Sequence, residues 1–154
     1  MIGFTGLGTL AWAANAASEA AGAAWFASLI RPAGPEWAGV FRLSGAGLAV
    51  YLVSAVAAWL VWRRVDIATH RKRLALQLWG WQLMANAVWP CLLFGLRSTT
   101  AGLGAAAFSV AAVAVTVGMF WPLGRSAAVL LLPRFAWTAF VSYLLFQVWS
   151  LNPV

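Results

Sequence analysis

The sequence predicts an all-α integral membrane protein, a five-helix up-down bundle. Three observations predict it. Of the 154 residues, 64% are hydrophobic and 8% are charged, whereas a soluble domain carries roughly 25% charged residues. So few polar groups cannot cover so much apolar surface in water, so the solvent for most of the chain is lipid. Second, five apolar stretches recur, each close to the ~20 residues a helix needs to cross a hydrocarbon core about 30 Å thick. Third, none of them shows the sustained alternation of a barrel strand, and helices are the other structure that satisfies its own backbone in lipid. The length fits a single compact membrane domain spanning 1–154 and leaves no room for a second.

The first helix is predicted at 4–29 and is rich in Ala and Gly. It lacks the positively charged start of a signal peptide, and its apolar run to Trp25 is too long for one. Ala14, Ser18 and Gly22 recur every four residues, the spacing that lets helix backbones approach closely. That stripe serves packing inside the monomer or, alternatively, a homodimer face. Glu19 is the only acid within a span. Asn15 and Ser18, a turn away, are candidate partners for it, and a functional role is the alternative.

A loop, Arg31–Gly39 (RPAGPEWAG), leads to the second helix at 40–62. Tyr51, near its middle, needs a partner for its hydroxyl, while Trp59 and Trp62 border arginines and read as an interfacial belt. The next loop, Arg63–Arg73, carries Arg63, Arg64, Arg71, Lys72, Arg73 and His70. The third helix, 74–96, presents Trp79, Gln82, Asn86, Trp89 and Leu93 three or four residues apart, on one stripe. An amide in the membrane interior is costly unless bonded, so Asn86 either bridges helices or faces a ligand. Pro90 removes a backbone donor and is expected to kink the helix.

Tight turns at Arg97–Thr100 and Pro122–Ser126 bound the fourth helix, 101–121, and lead to the fifth, 127–149. Trp137 lies too deep to be an interface anchor, so packing or pocket lining must explain it; Trp149 suits the interface. Arg134 is expected about one turn into the fifth helix, snorkelling to the surface.

The formal charge is +7. The basic residues concentrate in the Arg63–Arg73 loop, so topology explains the charge and no nucleic-acid partner is implied. The Lys/Arg excess puts that loop in the cytoplasm, the N-terminus inside and the C-terminus outside. One His, one Cys and three acids give no catalytic constellation and no metal site, and no cofactor is required. Cys91, the lone cysteine, forms no internal disulfide.

The third-helix pattern Gln82-Leu83-x-x-Asn86-x-x-Trp89-x-x-x-x-Phe94-Gly95 resembles the third-helix signature of the TspO/MBR family. Pro133-x-x-x-Trp137, ending in Trp149-x-Leu151-Asn152-Pro153, resembles its C-terminal signature. Trp25-Phe26-x-x-Leu29-x-Arg31-Pro32 is similar to the family's aromatic pair, leucine and basic-proline segment. The resemblance implies a five-helix bundle of the bacterial cell membrane, often a homodimer, whose pocket takes porphyrins or other flat hydrophobes. On that footing Trp25, Arg31, Trp37, Tyr51, Asn86, Trp89, Trp137 and Phe140 are the expected ligand-binding residues. Indoles would supply stacking faces and Arg31 would meet a carboxylate. The function so implied is porphyrin binding for transport or sensing. The alternatives are light- and oxygen-dependent porphyrin breakdown and a scaffold that binds no ligand. The sequence departs from the family pattern at several points. The first loop is poorer in tryptophan, Arg134 stands where tyrosine is usual, and Leu145 where asparagine is. Phe140 fills a position usually small and is expected to narrow the cavity. No basic residue follows Tyr143, which lowers the sterol reading.

Overall fold

The computed structural model describes residues 1–30 and 44–153. The expected site residues Arg31 and Trp37, with the first loop and the start of the second helix, lie outside the described residues. The described residues form five helices and no strand: α1 Ile2–Ala27, α2 Ser44–Trp62, α3 Thr69–Pro90, α4 Thr99–Phe120 and α5 Arg125–Leu151. A π-helical turn, Cys91–Gly95, continues α3. Pro90 has no N–H to give the carbonyl of Asn86, and at that missing bond the helix widens into the longer-range bonding of the π turn.

Two boundaries differ from expectation in ways that matter. The third helix starts at Thr69 rather than Leu74, so His70, Arg71, Lys72 and Arg73 are helical and the basic loop shrinks. No helix breaker separates Thr69 from Leu74, and long basic side chains reach water as well from a helical turn as from a loop. Lys72 Nζ donates to the Arg64 carbonyl at 2.8 Å, and Arg64 pairs with Asp66. The fifth helix starts at Arg125, which puts Arg134 roughly 14 Å along its axis at 1.5 Å per residue. The snorkelling expected of Arg134 is therefore corrected: the residue is too deep to reach the surface and is buried, at 1% exposure.

The helices close into a ring. α1 packs against α2 and against α3 with its π turn, α2 packs against α5, α5 against α4, and α4 against α3. Small residues make these approaches close: Ala55, Ala57 and Ala58 on α2, Ala75 on α3, and Ala127 and Ala128 on α5 are buried in one apolar cluster with Trp79, Phe120 and Leu131. A second cluster joins Phe26, Leu93, Phe94, Ala106, Leu144, Leu145 and Val148 toward the other end. The π turn is held between two glycines. A Cβ on Gly22 would lie 2.3 Å from Phe94 Cδ1, and one on Gly102 would lie 2.8 Å from Leu93 Cβ. Gly22 thus belongs to packing within the monomer, as does Ser18, whose Oγ lies 3.2 Å from Cys91 Sγ.

α4 and α5 are long and apolar enough to cross a membrane. Outward faces carry Trp81, Met84, Val88, Phe108, Val115 and Phe146, a surface suited to hydrocarbon rather than water. α3 is less apolar because it opens with the basic turn His70–Arg73; α1 and α3 also carry Asn15, Glu19, Gln82 and Asn86, and these four groups turn inward.

Candidate functional site: a cavity between two apolar clusters

A cavity opens inside the ring, bounded by α1, α2, α3 with its π turn, and α5. Its volume is about 100 Å³, several times the ~10–15 Å³ that one buried water requires. It is therefore not a packing flaw. From α1 come Trp12, Asn15, Ala16, Glu19 and Phe26; from α2, Gly47 and Tyr51; from α3 and its π turn, Asn86, Trp89, Leu93 and Phe94. Seven residues come from α5: Arg134, Trp137, Thr138, Val141, Ser142, Leu144 and Leu145. These lie at helical spacing on one face of α5.

The lining has two characters. Toward the second cluster it is aromatic and aliphatic, with Phe26, Phe94, Leu144 and Leu145. Toward the first cluster it is a polar layer assembled from four helices. Asn15 Nδ2 donates to the Tyr51 hydroxyl at 2.7 Å. The Tyr51 ring carries the Arg134 guanidinium over its face, 3.8 Å from the ring centroid. Arg134 Nε donates to Gln82 Oε1 at 3.0 Å. Asn86 Nδ2 donates to the Gln82 backbone carbonyl at 2.9 Å. Behind this layer Trp79 Nε1 donates to Ser54 Oγ at 2.8 Å, tying α3 to α2.

Of the residues the sequence singled out, Tyr51, Asn86, Trp89 and Trp137 line this one cavity. Trp25 does not. It lies at the edge of the second cluster against Phe26, ring centroids 6.4 Å apart. Phe140 does not either, and the expectation that it narrows the cavity is corrected. Its side chain is 40% exposed and packs on the outer side of Trp137 at 6.4 Å between centroids. Helical phase explains this: Trp137, Val141 and Leu144 share a face that Phe140 flanks. Glu19 lines the cavity, yet neither expected partner serves it. Asn15 bonds Tyr51, and Ser18 Oγ donates to the Ala14 carbonyl at 2.9 Å.

Sequence reasoning missed Arg134, Asn15 and Gln82 as site residues. For Gln82 the signal was present, since it sits on the Trp79–Trp89 stripe. For Arg134 the signal was its place three residues before Trp137, one helical turn away on the same face.

The α1 and α5 ends meet at the far rim. Asn152 Nδ2 donates to the Ile30 carbonyl at 2.7 Å and its Oδ1 accepts from the Ile30 N–H at 3.0 Å. Trp149 Nε1 donates to Thr100 Oγ1 at 3.0 Å, so it is bonded within the fold as well as placed near an end.

The profile of the family described as TspO/MBR matches residues 2–150 of the chain. Among curated relatives, the translocator protein of Homo sapiens is 30% identical over 139 residues, covering 85% of this chain and 76% of the relative. The tryptophan-rich protein TspO of Chlorobaculum tepidum is 29% identical over 119 residues, covering 77% and 68%. Protein CrtK of Rhodobacter capsulatus is 27% identical over 132 residues, covering 84% and 79%.

Proposed function

This chain belongs to the TspO/MBR family of membrane proteins, and on that premise we propose that it binds a flat hydrophobic ligand, a porphyrin or related tetrapyrrole, inside the helical ring. The observation that carries the reading is the convergence of Trp12, Trp89 and Trp137 from three helices on one cavity that also holds Tyr51, Asn86 and Arg134. A tetrapyrrole is a broad π-system with polar edges. Indoles offer it stacking faces, the aliphatic lining takes its hydrocarbon rim, and the polar layer takes its heteroatoms. Binding of such a guest would serve transport or sensing in a bacterial cell membrane, with the N-terminus in the cytoplasm as the Lys/Arg bias indicates.

Tryptophan fluorescence tests the proposal directly. Purified protein in detergent should show saturable quenching by protoporphyrin. Trp89→Phe should weaken binding by about 2–10-fold, the range of an aromatic contact, and Asn86→Ala should weaken it as well. Absence of saturable quenching by any porphyrin would leave the scaffold reading in its place. A second reading gains support from the same geometry. Trp89 and Trp137 both border the cavity, where an illuminated porphyrin and oxygen could oxidise or be quenched by an indole. Product formation under light that disappears in Trp137→Phe, with binding intact, would favour porphyrin breakdown over simple carriage.

A further inference from the structure

Charge is the unsolved problem of this cavity. Arg134 is 1% exposed and always protonated. A cation buried in a lipid-embedded bundle normally finds a carboxylate or a water-filled path. Among the described residues no carboxylate pairs with it, and it faces the cavity. Its Nε is bonded to the neutral Gln82 amide and its plane lies over the neutral Tyr51 ring. Among the described residues the one ion pair is Arg64–Asp66, at the surface. Glu19, the only acid among the described residues of the cavity wall, makes no ion pair with Arg134.

Unused bonding capacity gathers at the same place. Among the described residues, three buried side-chain atoms have no hydrogen-bond partner: Arg134 Nη2, Gln82 Nε2 and Asn15 Oδ1. Each belongs to the polar layer joined through Tyr51 and Arg134. Two of the three are donors beside a fixed positive charge. An unmet buried donor is costly, and most of all a charged one. Of these groups Arg134 lines the cavity, and the group that would satisfy its free donor and its charge together is an anion with two acceptor atoms. A carboxylate has that shape and is the standard partner of a guanidinium fork. The rest of the wall is apolar and aromatic, so the carboxylate must be carried on a hydrophobic body.

We propose that the cavity takes its ligand carboxylate-first, with Arg134, which lines the cavity, as the buried cationic anchor held in place by Gln82. The ligand class is a hydrophobe bearing a carboxylate at one edge, held with that edge against the α2–α3–α5 polar layer and its apolar body between the tryptophans. The assignment rests on the cavity reading above and sharpens it, because a neutral flat hydrophobe fits the aromatic wall equally well but leaves Arg134 unanswered. It also differs from the sequence expectation, in which Arg31 of the first loop would meet the carboxylate.

The test compares protoporphyrin with its dimethyl ester, which keeps the ring and removes both charges. Affinities are measured by tryptophan quenching and corrected for partition into empty micelles. The wild-type protein should bind the acid at least about tenfold more tightly than the ester. In Arg134→Gln that preference of acid over ester should fall to near onefold. The comparison of acid with ester in the wild type stands even where the variant fails to fold. Equal binding of acid and ester by the wild type, or a preference that survives in Arg134→Gln, overturns the anchor and leaves the porphyrin reading standing. Failure of both ligands to bind the wild type removes that reading and the anchor with it.

Discussion

Tyr51 links two helices of the site through one side chain. Its hydroxyl accepts from Asn15 on α1 and its ring supports Arg134 on α5, so one residue of α2 joins both neighbours of that helix. Tyr51→Phe keeps the ring and removes the acceptor, leaving Asn15 with neither amide atom bonded. The expected cost is about 1–3 kcal/mol, the penalty for an orphaned buried polar group, read as a lower unfolding midpoint in detergent. Tyr51→Leu should cost more, because the cation–π contact goes as well. Phe140→Ala is the contrasting case. With its side chain on the outer surface, it should leave porphyrin affinity unchanged; tighter binding would mean that Phe140 does reach the cavity. At the surface, the Asp66 carboxyl is held down to about 2, chiefly by its hydrogen bond from Arg64. An unfolded aspartate titrates near ~3.9. Stability from this pair is thus complete above about pH 4 and fades as the pH falls toward 2. Both side chains are exposed, so screening makes the loss slight; Asp66→Asn should abolish even that small acid-side dependence in thermal melts. In the sequence Asn86 and Trp89 stood out by their spacing on one stripe and Trp137 by its depth, and it was the family resemblance that named all three as pocket residues. Arg134 was misjudged for a physical reason: snorkelling depends on depth, and even a helix start at 127 puts this residue about two turns in rather than one.

At the scale of elements, the π turn is the feature that shapes the site. Pro90 was legible as a disruption of the third helix. What the letters did not carry was the outcome, a wider turn rather than a bend alone, which places both Leu93 and Phe94 against the cavity. The turn fits only because Gly22 and Gly102 clear space on either side. Gly22→Ala should therefore be destabilising by about 1–3 kcal/mol, the usual cost of overpacking, since its new methyl would meet the Phe94 ring and its Cβ together. Gly104→Ala on α4 is the open-site control. Nothing lies within 4 Å of a Cβ there, and a small stabilisation from helix propensity is expected. Equal unfolding midpoints for the two variants would mean that the π turn is not clamped. The every-fourth-residue stripe on α1 was legible as a packing signal, but not its partner. Gly22 and Ser18 meet the π turn, whereas Ala14 faces outward.

The whole molecule is a ring with a deliberately incomplete middle. Fold class was readable from composition and from five apolar stretches, because lipid permits few alternatives to helices. The order of neighbours was not readable, since α2 closes onto α5 rather than chiefly onto α3, and side-chain contacts set that choice. The two apolar clusters cap a zone where the helices do not meet, so part of the stability that a filled interior would provide is left for a guest to supply. A ligand that binds only the closed ring stabilises it by about 2.7 kcal/mol at a free concentration 100-fold above its dissociation constant. Protoporphyrin should accordingly raise the unfolding midpoint of the wild type in a concentration-dependent way. The Asn86→Ala/Trp89→Phe double variant, compared at ligand excess fixed for the wild type, should lose most of that rise. An equal rise in both proteins would mean that the porphyrin stabilises by coating the outer apolar faces. Those faces, with Trp81, Phe108 and Phe146 exposed, are large enough to adsorb it, and that makes the double variant the decisive comparison.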